Sequence, residues 1–242
     1  MKLWCALLLI GCLVPPALVA QSPVVVELFT SEGCSSCPPA DALLVKLSQM
    51  DEPGLPHVIV LGEHVDYWNY IGWTDRFSSH QFTGRQEGYA QHFGLASAYT
   101  PQMVIDGQRQ LLGSDASGVG HAIDAAAKSE KPAKITLARL GGSAYQVSVR
   151  SDGGKAKVFL AITEDGLSSE VKAGENSGRT LRHAGVAREL RSIGTLKDGS
   201  FDQAIEVPIK PEWNSANVKL VVFVQRGDFG SILGAASLPL NP

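Results

Sequence analysis

Glu27-Leu-Phe-Thr-Ser-Glu-Gly-Cys-Ser-Ser-Cys-Pro-Pro-Ala-Asp41 is the stretch that decides how the chain is read. A β-branched run, Val24, Val25 and Val26, leads into it. A helical spacing of apolar residues, Leu43, Leu44, Leu47 and Met50, leads out. The Cys-x-x-Cys pair Cys34 and Cys37 therefore stands where a buried strand passes into a helix, a context that points to redox chemistry. Gly33 frees the turn, and Ser35 and Ser36 are expected to cap the helix. Pro38 and Pro39 fit only in a first turn, where backbone N–H groups have no partners to lose.

Upstream, Lys2 is followed by a short apolar run over 3–14, a break at Pro15-Pro16 and the small residues Ala17 and Ala20. This pattern reads as a secretory signal over 1–20, and the apolar run is too short to span a bilayer. Leu9-Ile-Gly-Cys12 also resembles a bacterial lipoprotein box, so a lipid anchor at Cys12 stands as an alternative. Cys5 and Cys12 fall in this segment, which leaves Cys34 and Cys37 as the cysteines of a processed chain. In the periplasm or outside the cell such a pair persists as a disulfide. A bridge across two intervening residues restrains little chain entropy, which favours a redox role over a staple.

Downstream, a strand is expected over 57–61, then an aromatic segment, Tyr67-Trp-Asn-Tyr-Ile-Gly-Trp73. Ser78 or Ser79 is placed to cap a helix carrying Phe82, Gln86, Tyr89 and Phe93 on one face. A strand over 102–105, a hairpin signal at Asp106-Gly107, a return strand over 108–112 and a helix over 115–128 follow. After Lys131-Pro132 the rhythm changes to short alternating strands, at 134–140, 145–150, 157–163, 201–207, 218–224 and 232–238. That rhythm belongs to an antiparallel all-β domain. The expected organisation is a signal peptide at 1–20, an α/β domain at 21–131 and a β-sandwich-like domain at 132–242.

The formal charge of −3 and the lack of a long basic run give no sign of nucleic-acid binding. Charge is uneven: residues 21–131 hold 6 Lys/Arg against 13 Asp/Glu, and residues 132–242 hold 14 against 11. Opposite fields of this kind favour docking of the two halves. Arg179, Arg182, His183, Arg188 and Arg191 form a basic stretch suited either to that docking or to an anionic partner.

The order β-α-β-α-β-β-α, with Cys34-Ser-Ser-Cys37 after the first strand and Thr100-Pro101 before the third, resembles the thioredoxin-like superfamily. The opening stretch, His64-Val-Asp-Tyr-Trp68, Gly72-Trp73, Tyr99-Thr-Pro-Gln-Met-Val-Ile105 and Gly174-Glu-Asn-Ser-Gly-Arg-Thr-Leu-Arg-His183 are similar to a family of secreted bacterial proteins. That family is known as a domain of unknown function with a thioredoxin-like fold. The resemblance implies an α/β thioredoxin-like domain followed by an all-β sandwich-like domain. It also implies that Pro101 is a cis proline facing the cysteines, with the Thr100 backbone free to pair with an extended substrate. Thioredoxins carry a buried acid in the first strand. Here that position is Leu28, and Glu27 turns to the other face.

From the residues themselves, Cys34 is the expected nucleophile, because a helix N-terminus favours the thiolate. It attacks a substrate disulfide, and Cys37, one turn on, resolves the mixed disulfide. Trp68 and Trp73 stand either in a substrate groove or in the core. Glu63 and His64, with Asp66, end the second strand of an open sheet, where sites form, and are candidate acid–base groups. Cys34, Cys37 and His64 are also copper-type ligands, but the Cys-x-x-x-Cys spacing of copper-delivery relatives is missing, so a copper carrier stands only as a third, minor alternative and no metal site is assigned. No cofactor is expected, and the partners are protein thiols or disulfides and a further redox partner. The rival from another class is a non-catalytic binding or scaffold module.

Overall fold

The computed structural model describes residues 23–50 and 52–240, so the expected signal segment, with Cys5 and Cys12, lies outside the described residues. The first half forms β1 (Val24–Thr30), α1 (Pro38–Ser48), β2 (Val58–His64), α2 (His80–His92), β3 (Gln102–Ile105), β4 (Arg109–Leu112) and α3 (Ala116–Ala127). Every residue of β1 is buried. It lies between β2, parallel to it, and β3, antiparallel to it, which is why its apolar run is nearly unbroken. Ser79 caps α2 by accepting from Gln81 N, and Asp115 caps α3 by accepting from Gly118 N. The α1 cap is Cys37, with no side-chain cap bond, so Ser35 and Ser36 do not take the role expected of them. The β3–β4 hairpin turns through left-handed Asp106 (φ 48°) and Gly107 (φ 63°).

The second half adds β5 (Ala133–Gly141), β6 (Ala144–Ser151), β7 (Lys157–Glu164), β8 (Leu167–Glu170) and β9 (Thr180–His183). It continues with β10 (Val186–Thr195), β11 (Ser200–Glu206), β12 (Val218–Gln225) and β13 (Ile232–Pro239). These strands correct the expected fold class. The chain is not a thioredoxin-like α/β domain followed by a separate all-β domain. One mixed eight-stranded sheet, in the order β13-β12-β7-β10-β2-β1-β3-β4, runs through both halves. β-Strands dominate, and the helices are additions to this sheet.

The seam is between β2 and β10, where Val186 pairs with Gly62 in parallel. The Gly62 N–H donates to the Gly185 carbonyl at 2.8 Å. A Cβ on Gly62 would lie 3.1 Å from the Ala184 carbonyl oxygen, and Gly185 has φ +56°, so two glycines allow this close approach. Apolar packing continues the seam: Ile59 and Leu61 of β2 share a core with Ala187 and Leu190 of β10, Phe159, Phe223 and Phe82 of α2. Thus α2 covers one face of the long sheet.

The opposite face is divided. α1 and α3 cover β1–β3 through Leu28, Leu44, Val119 and Ile123. A second sheet, β11-β6-β5, packs on β7, β12 and β13 through Tyr145, Val147, Leu160 and Val222. Two β layers thus face each other in the second half, but one of them is the sheet that holds β1, so the separate sandwich expected from the strand rhythm is not formed. At the join between the halves, buried Lys131 pairs with Asp106 at 2.7 Å. Among the described residues no helix is long and apolar enough to cross a membrane.

Candidate functional site around the Cys34–Cys37 disulfide

Cys34 and Cys37 form a disulfide with Cα atoms 5.4 Å apart. The turn between β1 and α1 is tied by Cys34 N donating to Ser31 O and Cys37 N donating to Cys34 O. Cys37 opens α1, so the sulfurs stand at the helix end where free N–H groups favour negative charge. The Thr100 hydroxyl donates to Cys34 Sγ at 3.3 Å, and Ser36 Oγ lies 3.4 Å from the same sulfur. Trp68 Nε1 donates to Thr100 Oγ1 at 2.9 Å, completing a chain from indole to hydroxyl to sulfur. The Thr100–Pro101 peptide is cis, and Pro101 is buried, with its carbonyl accepting from Gly113 N. Trp73 takes a different place: its indole donates to Glu32 Oε2 at 2.7 Å. Tyr70, between the two tryptophans in sequence, is 82% exposed.

A loop from the second half closes over the turn. Residues 171–179 join β8 to β9, and buried Asn176 donates from Nδ2 to the carbonyls of both Glu32 and Cys34, each at 2.9 Å. Glu175 accepts from Ser35 N at 3.3 Å. Both cysteines are fully buried, whereas Ser35 and Ser36 between them are exposed.

Beneath the turn lies a buried ionisable cluster drawn from five segments: Glu32, Asp41 of α1, His64 of β2, Asp75 and His183 of β9. His64 Nδ1 is 2.6 Å from Asp75 Oδ2, which also accepts from Glu32 N. Burial works against charge on Asp75, but His64 and the backbone donors of Glu32 and Phe77 hold its carboxyl below the usual range. Glu32 is likewise held low. Burial opposes its ionisation, and the His183 ring and the Trp73 indole outweigh that. Asp41 goes the other way: full burial pushes it up to about 6, despite His183 and a hydrogen bond from Thr30 Oγ1.

Glu63 is not brought to the disulfide. Strand alternation turns it, with Glu27, to the α2 face. There Arg85 Nη2 is 2.6 Å from Glu27 and Arg85 Nε is 3.7 Å from Glu63. Tyr89 and Gln225 complete this second buried network. Burial first, and Glu27 second, raise the Glu63 carboxyl well above its ordinary range. His64 faces Asp75, and among the described residues no three His, Cys, Asp or Glu side chains are grouped to hold a metal ion. The basic stretch divides. His183 packs against acids of the first half, while Arg188 pairs with Glu164 and Arg191 with Glu189.

Glu32, Asp41, Asp75 and Asn176 are the site residues that the sequence alone did not single out. Asp41 had a signal, since it lies in the opening motif four residues after Cys37, on the same face of a helix. Asn176 also lay within a quoted motif, but nothing local to it points to Cys34.

The whole-chain architecture recurs in solved structures. The crystal structure of protein AGR_C_4864 from Agrobacterium tumefaciens is 28% identical, with a TM-score of 0.73 over 90% of this chain and 94% of that one. HBP35 of Porphyromonas gingivalis has a TM-score of 0.70 at 16% identity, over 91% of this chain and 76% of its own, and shares the fold. These similarities extend through both halves, as the continuous sheet requires. No curated protein matches the chain. The family model described as "Protein of unknown function (DUF1223)" matches residues 25–225, and the chain belongs to that family.

Proposed function

We propose that the protein carries out thiol–disulfide exchange on exported proteins through Cys34 and Cys37. The observation that carries this is the environment of the Cys34 sulfur. It lies at the start of α1, accepts from Thr100 Oγ1 and has Ser36 Oγ beside it. Donors and a helix N-terminus stabilise a thiolate, the form that attacks and leaves in exchange. In the oxidised protein a substrate thiolate attacks Cys34 Sγ. The Cys34–Cys37 bond breaks, a mixed disulfide forms, and Cys37 leaves as a thiolate. In the reverse step Cys37 attacks Cys34 and expels the substrate thiolate. An exported location, periplasmic or extracellular, fits a disulfide of this kind and the signal-like first twenty residues. Exposed Tyr70, two residues on from Trp68, and the exposed Ser35 and Ser36 offer surface to an unfolded protein segment.

The test is a Cys37→Ser variant, which retains Cys34 and cannot resolve. It is expected to trap mixed disulfides with exported proteins, visible as reducible adducts. If no adducts form and Cys34 alkylates no faster than a model thiol, the proposal fails.

The complete burial of both cysteines favours a second reading, a binding module in which the disulfide only fixes the loop. That reading expects a partner to bind the Cys34→Ala, Cys37→Ala double variant as tightly as the native chain.

A further inference from the structure

Two buried polar atoms without hydrogen-bond partners, Asp41 Oδ2 and His183 Nδ1, belong to the buried cluster beside the disulfide turn. Leaving such atoms unpaired in the interior costs stability, so their grouping calls for a role. Asp41 lies one turn from Cys37 on the same helix face, and its N–H donates to the Cys37 carbonyl. His183 Nδ1 is 3.9 Å from Asp41 Oδ1, and His183 Nε2 is 3.3 Å from Glu32 Oε1. His183 also lines a cleft of about 480 Å³ between the C-terminal end of α1 and the β8–β9 hairpin, with Ser48, Asp165 and Arg182. Both ring nitrogens are shielded from solvent, so the ring stands beside the buried carboxyl and reaches the cleft only by turning.

Resting on the exchange reading above, we propose that Asp41 and His183 form a proton relay for Cys37. When Cys37 resolves the mixed disulfide, its S–H proton passes to the Asp41 carboxylate. The Cys37 sulfur then bonds to Cys34 Sγ, and the substrate leaves as a thiolate. Asp41 gives the proton to His183 across a gap that one water or a small ring rotation closes, and His183 releases it to the cleft. In the opposite direction the proton returns by the same route to the Cys37 thiolate as it leaves. Electrons move only between sulfurs, and the relay carries protons alone.

The groups that face Asp41 fit the task. Thr30 of β1 donates to Oδ1 and fixes the carboxyl. His183 of β9 favours its charged form, while Glu32 and Asp75, from the segments after β1 and β2, and burial most of all, oppose it. A carboxylate made more basic in this way is a better acceptor for a thiol proton near neutral pH. His64 is bound to Asp75 and stacks edge-on against His183, with ring centroids 4.8 Å apart, fixing that ring's other side.

The test follows the two-step reaction of the reduced full-length protein with 5,5′-dithiobis(2-nitrobenzoate). Cys34 captures one half of the reagent, and attack by Cys37 then releases a second coloured thiolate. The second release reads the resolving step, and its rate is measured from pH 4.5 to 9.5. The native chain is expected to show an inflection near pH 6. Asp41→Asn should lose that inflection and slow the second release at pH 7 on the order of 100-fold, with Asp41→Glu recovering part of the rate. Should Asp41→Asn fail to fold, His183→Gln carries the test. Its inflection should move upward, because the ring favouring the charged carboxylate is gone. Profiles that superimpose on the native one overturn the relay while leaving exchange intact. If the native chain itself releases only one equivalent, exchange fails and the relay with it.

Discussion

The side-chain amide of Asn176 donates to the carbonyl of Cys34 at 2.9 Å, across 142 residues of sequence. It also holds the Glu32 carbonyl, so one side chain from the second half fixes the turn that carries the disulfide. Asn176→Ala leaves the buried Glu32 carbonyl without this partner and the Cys34 carbonyl with only the Cys37 N–H. The expected loss of stability is about 2–4 kcal/mol in urea unfolding, with several-fold faster reduction of the disulfide by dithiothreitol. A loss of stability with no change in reduction rate would show that this loop does not govern access.

Thr100→Val keeps the shape of the side chain and removes its hydroxyl. Cys34 loses a donor that favours its thiolate, and the Trp68 indole loses its acceptor. The Cys34 thiol of the reduced protein should become less acidic, read as a shift of iodoacetamide alkylation to higher pH. Trp68→Phe leaves the hydroxyl in place and should move the thiol less.

Asp41 also makes stability depend on pH. Its carboxyl is pushed up to about 6 in the folded chain from an ordinary value of 3.8. A raised acid favours the fold when protonated. Its contribution is complete below about pH 4 and is lost as pH rises through about 6. Asp41→Asn mimics the neutral form, so it should gain on the native chain by up to about 3 kcal/mol between pH 4 and pH 8. Any hydrogen bond lost in the variant shifts the whole difference and not its slope. A pH-independent difference between the two urea midpoints would contradict the assignment.

Arg85 holds the second buried network together, with Glu27 at 2.6 Å and bonds to Tyr89 and Gln225. Arg85→Met leaves Glu27 charged and buried beside Glu63, at an expected cost of about 3–5 kcal/mol near pH 7. The loss should shrink in acid, where the raised Glu63 carboxyl is protonated and no longer repels Glu27. Arg85→Lys should recover only part of it, since a point charge cannot reproduce the guanidinium's divided contacts. Urea unfolding at pH 5 and pH 7.5 measures both.

Local chemistry made much of the first half legible. The apolar run of β1, the spacing of α1 and α2, the Asp106-Gly107 turn and the disulfide all follow from short-range patterns. β5, β6, β7, β11, β12 and β13 were legible from their alternation. β8, β9 and β10 were not, because their residues read as a charged stretch, and β10 is interrupted by irregularities at Ala187/Glu189 and Ser192/Gly194. The continuous sheet rests on a close approach at Gly62 and Gly185, and no periodicity announces which chain a glycine will meet. For the same reason the cysteines were found and most of their surroundings were not. Asp75, Asn176 and His183 reach the disulfide region only through long-range folding. The position of Glu27 on the face away from Leu28 was legible, because strand alternation alone sets it.

The seam between β2 and β10 sets a limit on how far the chain can be divided. A fragment ending at residue 131 would keep the whole Cys-x-x-Cys motif and every α-helix among the described residues. It would also turn β2 from an interior strand into an apolar edge, with Ile59 and Leu61 stripped of Ala187 and Leu190. Bare edges of this kind pair with one another, so the fragment would be prone to self-association. The motif that looks most portable in the sequence thus belongs to a unit that cannot be cut at the place where its composition changes.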